Sequence, residues 1–132
     1  MSETVFSKIV AGIVPCYKIA ETDNCLAFLD ISPLEKGHTI VIPKLAVDYI
    51  FDINDNLYTD LFLFAKKVAA GVKKYSNCKK VGIAVVGLEI PHAHIHLIPL
   101  NSGFEIDFKR PKLKLTPEEF AEIAQLIAKN ID

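Results

Sequence analysis

The sequence predicts an α+β domain built around an antiparallel sheet. Three observations carry that expectation. Short β-branched runs come in pairs separated by tight Pro/Gly turns, and two longer segments repeat their apolar residues at helical spacing. Strands and helices are also grouped instead of alternating, whereas a parallel sheet needs a crossover helix after each strand.

The elements follow in chain order. Val5–Val10 reads as a short helix, stopped by Gly12 and Pro15. Tyr17–Ala20 reads as a short strand, and Cys25–Leu29 as a stronger one running into Asp30 and Ile31. Ser32-Pro33 and Glu35-Lys36-Gly37 supply turn chemistry. The β-branched run His38–Ile42 then completes a hairpin and stops at Pro43. Leu57, Leu61, Phe64, Val68 and Val72 form one stripe of a helix, and Asp52, Asn54, Asp55 and Asn56 can all cap its start. Tyr58, Phe62, Leu63 and Ala69 leave much of its remaining surface apolar. Such a helix needs a second partner, and a copy of the same chain is the expected one, giving a two-fold dimer. Val81–Val86 reads as a buried strand, Gly87–Pro91 as a turn and Ala93–Leu100 as the next strand. Thr116-Pro117-Glu118-Glu119 is a capping box with proline at the first helical position. Phe120, Ile123, Ile127 and Ile131 give the final amphipathic helix.

Composition narrows the class. The 132 residues suit a single domain spanning 1–132, long enough to bury a core of its own. Hydrophobic residues make up 51% and charged residues 23%, which excludes a disordered chain. A net charge of −1 offers no global field for nucleic acid or an anionic membrane, so neither is an expected partner. Cys16, Cys25 and Cys78 are odd in number and widely spaced, which points to three small buried thiols in a reducing compartment. The first residues carry no basic, apolar targeting pattern, and a cytoplasmic location is expected.

Three of the four histidines sit in His92-Ala93-His94-Ile95-His96. On a strand, alternate side chains share a face, so the three imidazoles project one way while Ala93, Ile95 and Leu97 project into the core. A titratable ring every ~6.7 Å along one face is a costly arrangement unless the face works. Metal binding is one use, but the outer pair lie ~13 Å apart and cannot share an ion with the middle ring unless the strand bends. A third ligand would come from elsewhere, with His38, Glu89 and Glu35 as candidates. Covalent catalysis is the other use. An imidazole whose second nitrogen is held by a hydrogen bond is a good nucleophile toward phosphorus, with its neighbours donating to phosphoryl oxygens or acting as general acid.

His92-Ala93-His94-Ile95-His96-Leu97-Ile98 resembles the signature of the histidine triad (HIT) superfamily of nucleotide hydrolases and transferases. Val5–Ile9, Pro15, Cys25–Pro33 and Gly37–Lys44 are similar to the N-terminal half of that family in order and spacing. Their pattern is closest to the Hint-like nucleoside phosphoramidase branch. The resemblance covers residues 4 to about 100 and leaves 101–132 as a C-terminal extension of the same domain.

The resemblance implies a five-stranded antiparallel sheet with a central and a C-terminal helix, paired as a homodimer. It implies hydrolysis or transfer at the α-phosphorus of purine (adenosine) nucleotide derivatives, such as an AMP-amidate, an adenylate or a dinucleoside polyphosphate, through a nucleotidyl-histidine. His94 would be the nucleophile, His92 would orient it, and His96 and His38 would contact the α-phosphate and leaving group. Asp30 would hold the ribose hydroxyls, with Phe6, Ile9, Phe28, Leu29 and Ile31 around the base. A carboxylate at a strand end before a proline turn also suits a turn cap. Members of the family usually carry polar Gly-Gln-Ser/Thr before the triad, where this chain has Gly87-Leu88-Glu89, and an upstream asparagine that Val81–Val86 lacks. Those departures motivate a second reading, a nucleotide-binding or scaffold protein without efficient catalysis. Zinc-binding members use cysteines near the start and a histidine after Pro-Lys. Val5, Ser7 and Leu45-Ala46 offer no such ligands, so no metal and no other cofactor is expected. Lys109–Lys114 is a basic segment that reads either as a solvated loop or as a clamp for a polyphosphate or acidic partner.

Overall fold

A computed structural model describes residues 3–131. Met1 and Ser2, part of the stretch read above for targeting signals, and Asp132 lie outside the described residues. The chain runs α1 (Val5–Val10), β1 (Lys18–Glu21), β2 (Cys25–Leu29), β3 (Thr39–Pro43), α2 (Asp55–Ser76), β4 (Lys80–Ala84), β5 (Ile95–Leu100) and α3 (Pro117–Lys129). Short 3-10 turns occupy Ile50–Asp52 and Phe104–Ile106. The five strands form one open antiparallel sheet in the order β1-β2-β3-β5-β4. This is the expected α+β class.

Strand parity sorts the core into two faces. Ala27 and Leu29 of β2, Val41 of β3, and Ala93, Ile95 and Leu97 meet Leu61, Val68 and Val72 of α2 and Ile123 and Ile127 of α3. Each fully buried aliphatic side chain there is worth ~1.5–3 kcal/mol of transfer free energy. The alternate residues Leu26, Phe28, Ile40 and Ile42 face the other way and pack with Phe6 of α1. The large helices therefore cover one face of the sheet. The other is left to α1 and the site.

The caps show why the helices start where they do. Asn54, among the four candidates, caps α2 by accepting from the Leu57 amide at 3.0 Å. Thr116 and Glu119 form the reciprocal box of α3, with Pro117 in its first turn. Gly37 has φ +96°, and a Cβ there would lie 3.1 Å from the Tyr75 ring, so the turn into β3 needs glycine on both counts.

Several expectations need correction. The run Val81–Val86 is an edge strand limited to Lys80–Ala84, with Ile83 51% and Val86 50% exposed, because β5 pairs only one of its edges. A continuous apolar run looks the same in sequence whether its outer side is covered or bare. β5 begins at Ile95, not Ala93, since the Ala93 amide donates to the Val47 carbonyl (2.7 Å) outside the ladder. β3 begins at Thr39, because the His38 amide closes a turn onto the Glu35 carbonyl (3.0 Å). Cys25 and Cys78 are buried, but Cys16 is half-buried, and all three are free thiols. Among the described residues, no helix is long and apolar enough to cross a membrane.

Candidate active site

The site is assembled where β3 and β5 pair. His96 lies opposite Ile40, and the turn before β3 brings in His38. His92, His94 and His96 do share the face of the sheet that carries Phe6. The Phe6 ring packs edge-on against His92 (5.9 Å) and His94 (4.9 Å), and the His94 and His96 rings are 5.0 Å apart. All four histidines are buried, at 0 to 7% exposure.

Backbone groups fix the tautomer of each ring, because a carbonyl can only accept and an amide N–H can only donate. His94 Nδ1 lies 2.8 Å from the His92 carbonyl and so carries a proton, which selects the tautomer with its lone pair on Nε2. His92 Nε2 donates to the Pro43 carbonyl (2.8 Å), and its Nδ1 faces the Thr4 hydroxyl at 3.2 Å. Thr4 is the N-cap of α1 and its hydroxyl also accepts from the Ser7 amide (2.9 Å). The Leu34 amide donates to His38 Nδ1 (3.0 Å), so His38 Nε2–H donates to His96 Nδ1 (2.9 Å). That leaves His96 with its proton on Nε2. One ring of the triad thus presents a lone pair and its neighbour an N–H donor.

Electrostatics agree with neutral rings. Burial, reinforced by the neighbouring His96 and by Lys112, pushes His38 down to about 3. Burial and the adjacent His94 push His96 down to about 4. Burial also lowers His92, although the Pro43 carbonyl favours its charged form. Asp30 follows β2, and burial raises its pKa against the opposing pull of the Ser32 amide (2.8 Å), His94 and Lys112. Its Oδ2 is 3.5 Å from His38 Nε2, a polar contact and not an ion pair, since His38 is neutral.

Asp30, His38 and His96 place candidate ligand atoms within 4.8 Å of one another, the one such grouping among the described residues. Glu35 and Glu89 are not part of it. The donor set fits a metal poorly. The Leu34 amide occupies Nδ1 of His38, so a metal on its Nε2 would require an imidazolate or loss of that hydrogen bond. Val5, Ser7, Leu45 and Ala46, considered above as zinc positions, carry no thiolate, imidazole or carboxylate.

The expected apolar pocket is brought together in part. Phe6 and Phe28 meet edge-on at 5.6 Å and Ile9 packs on the same cluster. Ile31 is 71% exposed at the rim. Leu29 is not brought to the pocket, since its side chain lies in the helix-facing core and its amide donates to the Tyr17 carbonyl (3.1 Å). Sequence reasoning missed Thr4, Leu34, Pro43 and Phe108. The capping motif Thr4-x-x-Ser7 was a readable signal for the first. The Leu34 and Pro43 contacts are made by backbone and leave no mark in residue identity. Phe108 lies against His96 at 4.8 Å and His38 at 6.3 Å, from the segment that the family resemblance does not cover.

Comparison with known proteins agrees with this geometry. The HIT domain family model matches residues 12–103. An uncharacterized HIT-like protein of Borreliella burgdorferi is 37% identical, over 99% of this chain and 100% of that one. Adenosine 5'-monophosphoramidase hnt1 of Schizosaccharomyces pombe is 35% identical over 96% of this chain and 97% of its own length. A crystal structure of a Hit-like protein from Bartonella henselae superposes with a TM-score of 0.87 at 25% identity, covering 98% of this chain and 96% of that one. With the triad, its fourth histidine and the five-stranded sheet in place, the chain belongs to the HIT domain family.

Proposed function

We propose that this protein hydrolyses or transfers the nucleotidyl group of adenosine nucleotide derivatives at the α-phosphorus. The carrying observation is the lone pair of His94 Nε2, aimed by the Nδ1–H bond to the His92 carbonyl, beside the N–H of His96. The related phosphoramidase of S. pombe supports a nucleotide hydrolase. In the first step the His94 lone pair attacks phosphorus, a P–N bond forms and the bond to the leaving group breaks with its electron pair. The His94 ring becomes cationic, and its Nδ1 proton stays shared with the carbonyl. His96 Nε2–H steadies the phosphoryl oxygens, and His38 fixes His96. Water then attacks phosphorus, the P–N electrons return to His94, and the water proton leaves with the product or solvent. No metal enters any step. Asp30 accepts from the ribose hydroxyls, and Phe6, Phe28 and Ile9 enclose the base, with Ile31 at the rim.

A two-fold dimer belongs to the same proposal. Among the described residues the outer edge of β4 has no strand partner, and Ile83, Val85, Val86 and Leu88, in β4 and the loop after it, are exposed. Tyr49, Phe51, Tyr58 and Phe62 continue the patch, with successive rings 5.5, 6.4 and 4.7 Å apart.

The test is release of AMP from an AMP-amidate, with chelator present. Wild type is expected to turn over and to yield a phosphorus–nitrogen adduct on His94, labile in acid and stable in base, when quenched with denaturant during turnover. His94→Asn is expected to lower kcat by ~10⁴ to 10⁶ while AMP still binds. AMP binding with no turnover by wild type would favour the scaffold reading instead. An adduct on His92 or His96 would reassign the roles.

A further inference from the structure

The basic segment beyond the last strand is not a free loop. Arg110 Nη2 donates to the Leu34 carbonyl (3.0 Å), the Glu35 carboxylate (2.8 Å) and the Glu105 carbonyl (2.9 Å). The Leu113 amide donates to the Pro33 carbonyl at 2.8 Å. These bonds pin the segment to the turn that carries His38, and between them Phe108 is pressed against the His96 ring. Lys112 folds back inside the strap, and its ammonium donates to the Phe108 carbonyl (2.6 Å) and the Arg110 carbonyl (3.1 Å). An ammonium has three protons to donate. Two are used on the strap itself, which holds the charge in place and leaves the third for a ligand.

The chemistry of the site calls for such a group. Burial disfavours the charged forms of His38, His92 and His96, and the site's one carboxylate, Asp30, repels phosphate. The Lys112 ammonium is held on the carbonyl of Phe108, whose ring lies 4.8 Å from His96 and 6.3 Å from His38, which puts its charge on the side of the site that the strap covers. The pre-triad loop supplies no substitute, since Leu88 is 89% exposed and cannot donate, and Glu89 is acidic. We propose that residues 107–113 wall the leaving-group side of the site and that Lys112 receives the phosphate beyond the α-phosphate of a nucleoside di- or oligophosphate derivative. Lys112 is thus a specificity residue that favours anionic leaving groups over neutral ones. The inference rests on the nucleotide reading above, but its test reads binding and needs no turnover.

The experiment compares equilibrium affinities for AMP and for α,β-methylene-ADP, whose P–C–P bridge resists cleavage. The ratio of the two affinities isolates the second phosphate. Lys112→Met is expected to lower the preference for the diphosphate by ~10-fold, the scale of one charge-assisted contact. Lys112→Arg should restore it to within ~3-fold, and Lys114→Met, an exposed charge just beyond the wall, should leave the ratio as in wild type. An unchanged ratio in Lys112→Met, or an equal loss for both ligands, overturns the assignment while leaving the hydrolase reading intact. Failure of wild type to bind either nucleotide overturns both. Nucleotide binding without AMP-amidate turnover defeats only the catalytic reading.

Discussion

Lowering the pH from 7.5 to 5 should destabilise this protein well before its carboxylates titrate. His38 and His96 are buried neutral, with pKa values near 3 and 4 against 6.5 for an unperturbed histidine. Because the folded values are depressed, the unfolded chain takes up protons first as the pH falls through 6.5. Stability is fully present above that value and declines until the folded rings titrate. At pH 5 each ring is 1.5 units below 6.5 and still neutral in the folded state. At 1.36 kcal/mol per unit each costs about 2 kcal/mol, or about 4 kcal/mol for the pair. His92 adds to the loss in the same direction. Glu21 and Glu105, held near 2, and Glu119, also lowered, lose their contributions only below about 4.5, so the window isolates the histidines. Asp30 has the opposite sign, since its raised folded pKa makes the native state the better proton acceptor. Urea titrations at fixed protein concentration should show the midpoint falling by ~2–3 M between pH 7.5 and 5, for a slope of ~1.5 kcal/mol/M. His96→Asn should reduce that shift by roughly half. A midpoint that holds to within ~0.5 M down to pH 5 would refute the picture of neutral, desolvated rings.

Two further outcomes test the packing. Gly71 sits where α2 crosses α3, and a Cβ there would lie 2.6 Å from Ile131 Cγ1 and 2.8 Å from the Ile127 carbonyl. Gly71→Ala should therefore lower stability by ~1–2 kcal/mol in calorimetry despite alanine's ~1 kcal/mol better helix propensity, and a raised Tm would show that α3 can shift. Light scattering at micromolar concentration should give a particle of about 29 kDa, twice 14.6 kDa, and Ile83→Lys should shift it toward the monomer. A wild-type monomer would refute the dimer.

The histidine face was legible because parity is a rigid rule. Three histidines at period two, with Ala93, Ile95 and Leu97 between them, leave no choice about which side chains share a surface, and the core on the helix side contains those three. The same rule explains Leu29: it is two residues from Ala27 and so faces the helices, although its neighbours Phe28 and Asp30 face the site. The bareness of β4 was not legible, because the apolar pattern of a strand does not depend on what covers it. The basic run Lys109–Lys114 was legible as a candidate clamp, but its attachment was not, since Arg110 and Leu113 bond to the Leu34 and Pro33 carbonyls, which any residue could offer.

In the proposed mechanism the nucleophile is easier to read than the acid, for a physical reason. His94 needs only a proton held on Nδ1, and a carbonyl two residues back supplies that acceptor from the chain's own geometry. General-acid work by His96 needs a charged ring, and burial keeps that ring neutral, with a pKa near 4. A neutral His96 whose Nδ1 already accepts from His38 can give a hydrogen bond through Nε2, but it cannot give up the proton without becoming an anion. The proton for a departing amine therefore comes with the substrate, as a nitrogen-protonated amidate that leaves as neutral amine. A phosphate leaving group needs no proton at departure. Its charge must then be met by something other than the triad, and among the strap's cations Arg110 is paired with Glu35 while Lys112 keeps one proton to donate.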